Sequence, residues 1–371
     1  MGAVKYSAAS RFFLLLRAGM KPFRKKYFNN SVILSIQVYV SLCVFTCILC
    51  FRVLPERYFE WSSRRLCLSA AGSSSKSGVK LAAGHTRGYQ QVYDLFLFND
   101  ELDMLEIRIN ELKDAVDYFV VVEARVSFTN MPKPLHFSEN KDRFNAVSSK
   151  IVHIILDVLS GNSTWEREAS HRNALLDLGL HQPGKEVRRG DIVIMSDVDE
   201  IPRSAVIVAM KKCPEIHGRV VVLELGLFYY SYLTRAREPW SVPMALQHPG
   251  PNVSLNSTLL RKTNTSATEV VRFRNAGWHC SYCFSTLASF RNKMQSFSHE
   301  EYNLPEYFEK DHVVRSVQAG VSLFDHLEPD YFKQLQRPDA PRFVREHARR
   351  FQYLLNRRSK NAGLSDIPTV N

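Results

Sequence analysis

Acidic side chains are almost absent from the first quarter of the chain: residues 1–90 hold only Glu56 and Glu60, against fourteen Lys and Arg. That stretch accounts for the net charge. Of 49 Lys/Arg and 37 Asp/Glu in the 371 residues, 35 of each remain over 91–371, so the formal +12 belongs to the N-terminus and the rest is neutral. A basic face for nucleic acid is thereby excluded. Cysteine is scarce, seven in all, which rules out a disulfide mini-scaffold. Glycine and proline number 16 each, far from a collagen-like or low-complexity chain, and no internal repeat is visible. What remains is globular: 45% hydrophobic residues, enough for the core of one large or two small domains.

One stretch lacks charge altogether. Ser31–Phe51 (SVILSIQVYVSLCVFTCILCF) is long enough to cross a hydrocarbon core, and Arg24, Lys25 and Lys26 stand just before it. A cleaved signal peptide would begin nearer Met1 and end in small residues, and a core helix would carry polar residues on one face. The reading is a transmembrane signal-anchor at 31–51 with a cytosolic basic tail over 1–30. The positive-inside bias then places everything downstream in a lumen, although Arg52 and Arg57 weaken the asymmetry. Residues 52–90, with SAAGSSSKSGVKLAAGHTRG, read as a flexible stem, and 91–371 as a lumenal folded domain. Glycosylation triplets begin at Asn162, Asn252, Asn256 and Asn264, the last three in a Ser/Thr/Asn-rich stretch expected to be an exposed loop. Cys67, Cys213, Cys280 and Cys283 would be lumenal. Cys280-Ser-Tyr-Cys283 has no second ligand pair at zinc spacing, so oxidation is expected, to each other or to Cys213.

From Val92 onward, short runs rich in Val, Ile and aromatics alternate with helical spacing. Strands are expected at 92–98, 118–123, 151–156, 191–195 and 219–228, and helices at 102–113, 165–178 and around 343–358. Near-continuous apolar strands alternating with helices argue for an α/β fold, a mostly parallel sheet with helices on both faces, whose ligands bind beyond the carboxyl ends of the strands. The informative segment is GDIVIMSDVDEIP. A buried strand ends at Met195, and Asp197 and Asp199 follow, two apart, before Pro202. Carboxylates so placed suit a hard divalent cation that also holds a diphosphate. The alternative is an acidic turn capping the next helix. An EF-hand loop is excluded, because Ile201-Pro202 breaks its pattern.

The chain resembles glycosyltransferase family 17 through YDLFLFNDELDMLEIRINEL (93–112), YFVVVEARVSFTNMPKPLHF (118–137), GDIVIMSDVDEIPR (190–203) and AGWHCSYCF (276–284), with a weaker match over 302–325. The resemblance implies the Rossmann-like nucleotide-sugar fold called GT-A behind an N-terminal transmembrane helix. It also implies an inverting transfer of N-acetylglucosamine from UDP-N-acetylglucosamine to a mannose of an N-glycan by a β-1,4 linkage, in the Golgi membrane. In that family Asp197 and Asp199 would hold Mn²⁺ (or Mg²⁺) against the diphosphate. Glu123, Arg172 and Asn173 would face the donor together with Asp197, unless Glu123 is simply a strand-end carboxylate and the other two an exposed helix face. An inverting transfer needs one base for the acceptor hydroxyl. His279, His299, Glu300, Glu301, Asp311 and Asp325 are the candidates. His279 could equally be a further metal ligand or a core histidine, and Glu300 and Glu301 a favourable start to a helix. The same fold with another donor or acceptor, or a silent lumenal glycan-binding scaffold, are the competing expectations.

Overall fold

Every residue of the strand Val92–Leu97 is buried, so it must be covered on both faces. Alternation decides what each face meets. Val92 and Phe96 join one apolar cluster, with Met104, Leu105, Ile109 and Leu112 of a helix. Tyr93, Leu95 and Leu97 join another, with Ala174, Leu175 and Leu176 of a second helix. The computed structural model in which this is seen describes residues 90–368 except 251, 252, 254, 258, 259, 261–269 and 325–330. All of them lie in the compact unit Ser63–Asn371. The expected tail, anchor and nearly all of the stem, Cys67, Asn252, Asn264 and Asp325 fall outside the described residues. Among the described residues no helix is long and apolar enough to cross a membrane.

The chain runs β1 (Val92–Leu97), α1 (Leu102–Leu112), β2 (Tyr118–Ala124), β3 (Ile151–Leu156), α2 (Thr164–Asp177), β4 (Ile192–Asp197), β5 (Glu200–Pro202), α3 (Ser204–Lys211) and β6 (Val220–Leu223). It continues through β7 (Gly226–Tyr229), β8 (Ser231–Ala236), β9 (Met244–Gln247), β10 (Val271–Phe273), β11 (Gly277–Ser281), α4 (Leu287–Ser296), α5 (Lys310–Ala319) and β12 (Phe332–Gln334), with shorter helical turns between and after them. Seven strands form the larger sheet in the order β10-β6-β9-β4-β1-β2-β3. Neighbours are parallel except at β9, which runs antiparallel to both β4 and β6. The mixed α/β architecture with helices on both faces is thus the one the sequence predicts.

A second sheet, β12-β8-β7-β11-β5, stands beside the end of β4. Periodicity did not announce it. The run 219–228, expected as one strand, is two: β6 in the large sheet and β7 in the small one. Both are buried, so the apolar run continues across the change of sheet. The chain leaves the first sheet at Glu224, whose N–H donates to the Phe273 carbonyl, and Leu225 bridges Trp240. The C-terminal helix expected over 343–358 is likewise broken into Arg342–Glu346 and Gln352–Leu355. The turn between them carries Arg350 to Asp103 and Glu106 on α1, 2.6 Å from the latter.

Candidate active site

Strand β4 ends at Asp197 and β5 begins at Glu200, leaving a two-residue link that presents Asp199. Such a turn holds its shape only if its inward polar groups are satisfied. Arg108 on α1 does this. It is fully buried, donates Nε and Nη2 to the two carboxylate oxygens of Asp94, Nη2 to the Ser196 hydroxyl (2.6 Å), and Nη1 to the carbonyls of Asp197 and Glu200 (2.8 Å each). Glu200, also fully buried, closes the turn from inside. It accepts the Asp197 N–H at 2.7 Å and the Trp240 indole N–H.

Antiparallel pairing of β5 with β11 sets His279 opposite Glu200. The pairing needs Gly277. A Cβ there would stand 2.1 Å from the Ile201 carbonyl oxygen and 2.7 Å from Pro202 Cα. His279 Nε2 consequently lies 3.6 Å from Asp199 Oδ2. Burial pushes the Asp199 carboxyl up, but the neighbouring imidazole outweighs it and holds the carboxyl below its usual range. Burial likewise pulls His279 down while Asp199 more than restores it, so each group favours the charged form of the other. His279 Nδ1 is buried without a hydrogen-bond partner among the described residues, and its ring lies 4.7 Å from that of Trp240.

Asp197 and Asp199 open onto a cavity of about 330 Å³, which Arg172, Lys133, Lys293 and His299 also line. Arg172 on α2 donates to Asp197 Oδ1 at 2.7 Å and to Glu168 at 2.8 Å. Burial works against its charge, and the two carboxylates more than compensate. Lys293 on α4 pairs with Glu101 at 3.2 Å. Lys133 donates to the carbonyls of Asn99 and Pro134, each at 3.3 Å. Two carboxylates at a strand mouth, facing a cavity rimmed by cations, would suit a hard cation such as Mn²⁺ or Mg²⁺, which can take one or two protein carboxylates and complete its shell from phosphate and water. Among the described residues no group of three or more His, Cys, Asp or Glu could hold a metal by itself. The fit is to the open kind of site.

The other sequence candidates are dispersed. Glu123 is fully buried. Its oxygens accept the N–H groups of Phe137 and Ser138 and face His153 Nε2 at 2.9 Å, which ties the end of β2 to the following segment. Asn173 accepts the Ser257 hydroxyl at 2.6 Å. Asp311 is on α5, 64% exposed beside Lys310. Glu300 accepts the Thr164 hydroxyl at 3.3 Å, and Glu301 faces His299. The helix start expected at 298–301 is only a three-residue 3₁₀ turn, Glu300–Tyr302, so a helix dipole does not explain those acids. Cys280 and Cys283 are bonded to each other. Cys213 is also disulfide-bonded, though not to Cys280 or Cys283, which pair with each other. Asn162 and Asn256 are exposed, as acceptor sites would require.

Sequence reasoning missed Arg108, Glu200 and Trp240 as parts of the site. A signal for the first was present. Asp94 interrupts an apolar strand, and Arg108 lies three residues after Leu105 and four before Leu112, on the apolar stripe of α1.

The family model for Glycosyltransferase family 17 matches residues 68–360. Among curated proteins the chain is similar to Beta-1,4-mannosyl-glycoprotein 4-beta-N-acetylglucosaminyltransferase of Homo sapiens, 24% identical over 303 residues, which cover 72% of this chain and 55% of that protein. The protein of the same name from Rattus norvegicus is 23% identical over 302 residues, 72% of this chain and 54% of the other. The chain thus spans about half the length of the curated relatives it matches. Among solved structures, 4-diphosphocytidyl-2C-methyl-D-erythritol synthase from Anaerococcus prevotii aligns over 50% of this chain and 87% of that one, at 10% identity and a TM-score of 0.31, too loose a superposition to argue from.

Proposed function

Since the chain belongs to glycosyltransferase family 17, we propose that it transfers N-acetylglucosamine from UDP-N-acetylglucosamine to a mannose of a glycoprotein N-glycan, with inversion to a β-1,4 linkage, on a GT-A fold. The sugar and the acceptor follow the relatives' names. The observation that carries the reading is the Asp197/Asp199 pair at the end of β4, on the wall of a cavity ringed by Arg172, Lys133 and Lys293. Cations around a cavity of this size favour a dianionic diphosphate over a neutral ligand. Asp197 and Asp199 would hold Mn²⁺ or Mg²⁺, which when bound supplies positive charge to a departing diphosphate. The chain does the rest. Arg108 and Glu200 fix the turn so that both carboxylates stay presented, and Arg172 orients Asp197. Lys133 and Lys293 set a positive potential where charge grows on the leaving group.

The proposal extends to location. With the anchor at 31–51 and sequons at Asn162, Asn252, Asn256 and Asn264 downstream of it, the domain from 91 onward works in the Golgi lumen, as part of a single-pass type II protein. Incubating the protein with Mn²⁺, a panel of sugar nucleotides and a complex-type N-glycan tests the chemistry. A product heavier by one N-acetylhexosamine from the UDP-N-acetylglucosamine arm is expected. Turnover of a different sugar nucleotide alone would replace the donor, and no binding or turnover of any would leave the silent scaffold.

A further inference from the structure

The cavity contains several ionisable groups, and nearly all of them are already engaged. Glu101 accepts the N–H groups of Asn99 and Asp100 and pairs with Lys293. Glu168 is shared between Arg172 and the Ser298 hydroxyl. His171 is buried and directs Nε2 to the Val122 carbonyl at 2.7 Å. Asp197 and Asp199 are accounted for above. His299 differs. Its Nδ1 lies 2.7 Å from Glu301 Oε1, and a carboxylate can only accept, so Nδ1 carries a proton, which in the neutral imidazole leaves the lone pair on Nε2. Among the described residues Nε2 makes no hydrogen bond.

An exposed His–Glu pair is ordinarily a surface contact of little energetic weight. This one is held unusually firmly. Trp165 meets the imidazole edge-on at 4.6 Å, Tyr302 stacks on it at 5.6 Å and 25°, and the Phe297 ring is 5.5 Å away. Three rings and a carboxylate fix the plane and tautomer of a group that is still 43% exposed. That is the preorganisation a proton acceptor needs. Trp165, the second residue of α2, is itself 51% exposed while lining the same cavity. A half-open indole face beside a base can carry the apolar C–H face of a sugar ring while the ring's hydroxyls stay in water.

Resting on the transferase reading above, we infer that His299, oriented by Glu301, is the general base for the acceptor, and that Trp165 is the platform on which the acceptor sugar lies. In the step, the His299 Nε2 lone pair takes the proton of the acceptor hydroxyl. The oxygen forms its bond to the anomeric carbon, and the bond from that carbon to the diphosphate oxygen breaks. The electron pair leaves with the nucleotide diphosphate, and the imidazolium returns its proton to solvent. His279, which is buried, and Asp311 are set aside as the base because neither lines the cavity.

The test is steady-state kinetics with Mn²⁺, the sugar nucleotide the wild type turns over, and a glycan acceptor. His299→Ala is expected to lower kcat by about 10²–10⁴-fold, with donor KM within about twofold, thermal midpoint unchanged, and part of the rate restored by added imidazole. Glu301→Gln should lower kcat with donor KM likewise unmoved. Trp165→Ala should raise KM for the glycan and leave KM for the donor alone. If His299→Ala keeps kcat within threefold of wild type, or loses donor affinity instead, the base assignment is overturned. If Trp165→Ala leaves acceptor KM unchanged, the platform is overturned. Both failures would leave the transferase standing, whereas a wild type inert towards every sugar nucleotide would remove that reading and this one together.

Discussion

Asp199 and Arg108 show how differently two charged residues of one site contribute. Asp199 is part of the cavity wall, so shortening or neutralising it removes little packing. Asp199→Asn is expected to cut metal-dependent turnover by at least about 10²-fold and to lower the thermal midpoint modestly, because the buried His279 imidazole loses the carboxylate that offsets its burial. Turnover assays beside thermal melts check both halves. Arg108 is the reverse case. Arg108→Met strands the buried Asp94 carboxylate without its partner, and loss of one member of a buried pair costs about 3–5 kcal/mol, to be read from denaturant unfolding. Removing both charges, as Asp94→Leu with Arg108→Met, should return most of that stability. It should not return activity, because the carbonyls of Asp197 and Glu200 lose the guanidinium that fixes their turn. Recovery of activity along with stability would show that Arg108 serves the core alone.

At the scale of elements, helix α2 is the part that joins the site together. Its N-cap Ser163 accepts the Glu166 N–H, its Trp165 rims the cavity, Arg172 reaches Asp197, and His171 fastens it to β2 through the Val122 carbonyl. Burial pulls the His171 pKa down from 6.5 to about 4. The unfolded chain therefore binds the proton more tightly than the folded one. The stabilisation from keeping this imidazole neutral is fully present above pH 6.5 and is lost as pH falls towards 4, roughly 2–3 kcal/mol over that window. Unfolding free energies measured between pH 7 and 4 should fall by that amount, and His171→Asn should flatten this part of the profile. The helices and parallel strands were legible because their apolar periodicities are long and uninterrupted. The small sheet was not, since β5, β7, β11 and β12 are only three to five residues long, too short for alternation to register, and their pairing depends on a close approach at Gly277 that no local pattern encodes.

For the whole molecule, the charge and hydropathy layout predicts a lumenal domain on a single anchor. Full-length protein made in the presence of microsomes should shift in mobility on endoglycosidase treatment, and protease added to intact vesicles should spare residues 91–371. Degradation of that domain would reverse the orientation. The distribution of charge along the chain, the alternation of strand and helix, and the Asp197/Asp199 pair at a strand end were determined by the sequence alone, because each depends on neighbours close in the chain. The partners of those residues were decided by tertiary structure. Arg108 meets Asp94 and Ser196 across 14 and 88 positions, and His279 meets Asp199 through a β5–β11 ladder. Glu123 and Glu301, alike as isolated carboxylates in sequence, differ only in what the fold set against them. Glu123 was enclosed at the end of β2 by backbone N–H groups and the His153 imidazole, and Glu301 was left exposed beside His299, whose ring lines the cavity. Contacts made over such distances depend on where the packed core brings the backbone, and one-dimensional patterning carries no term for that.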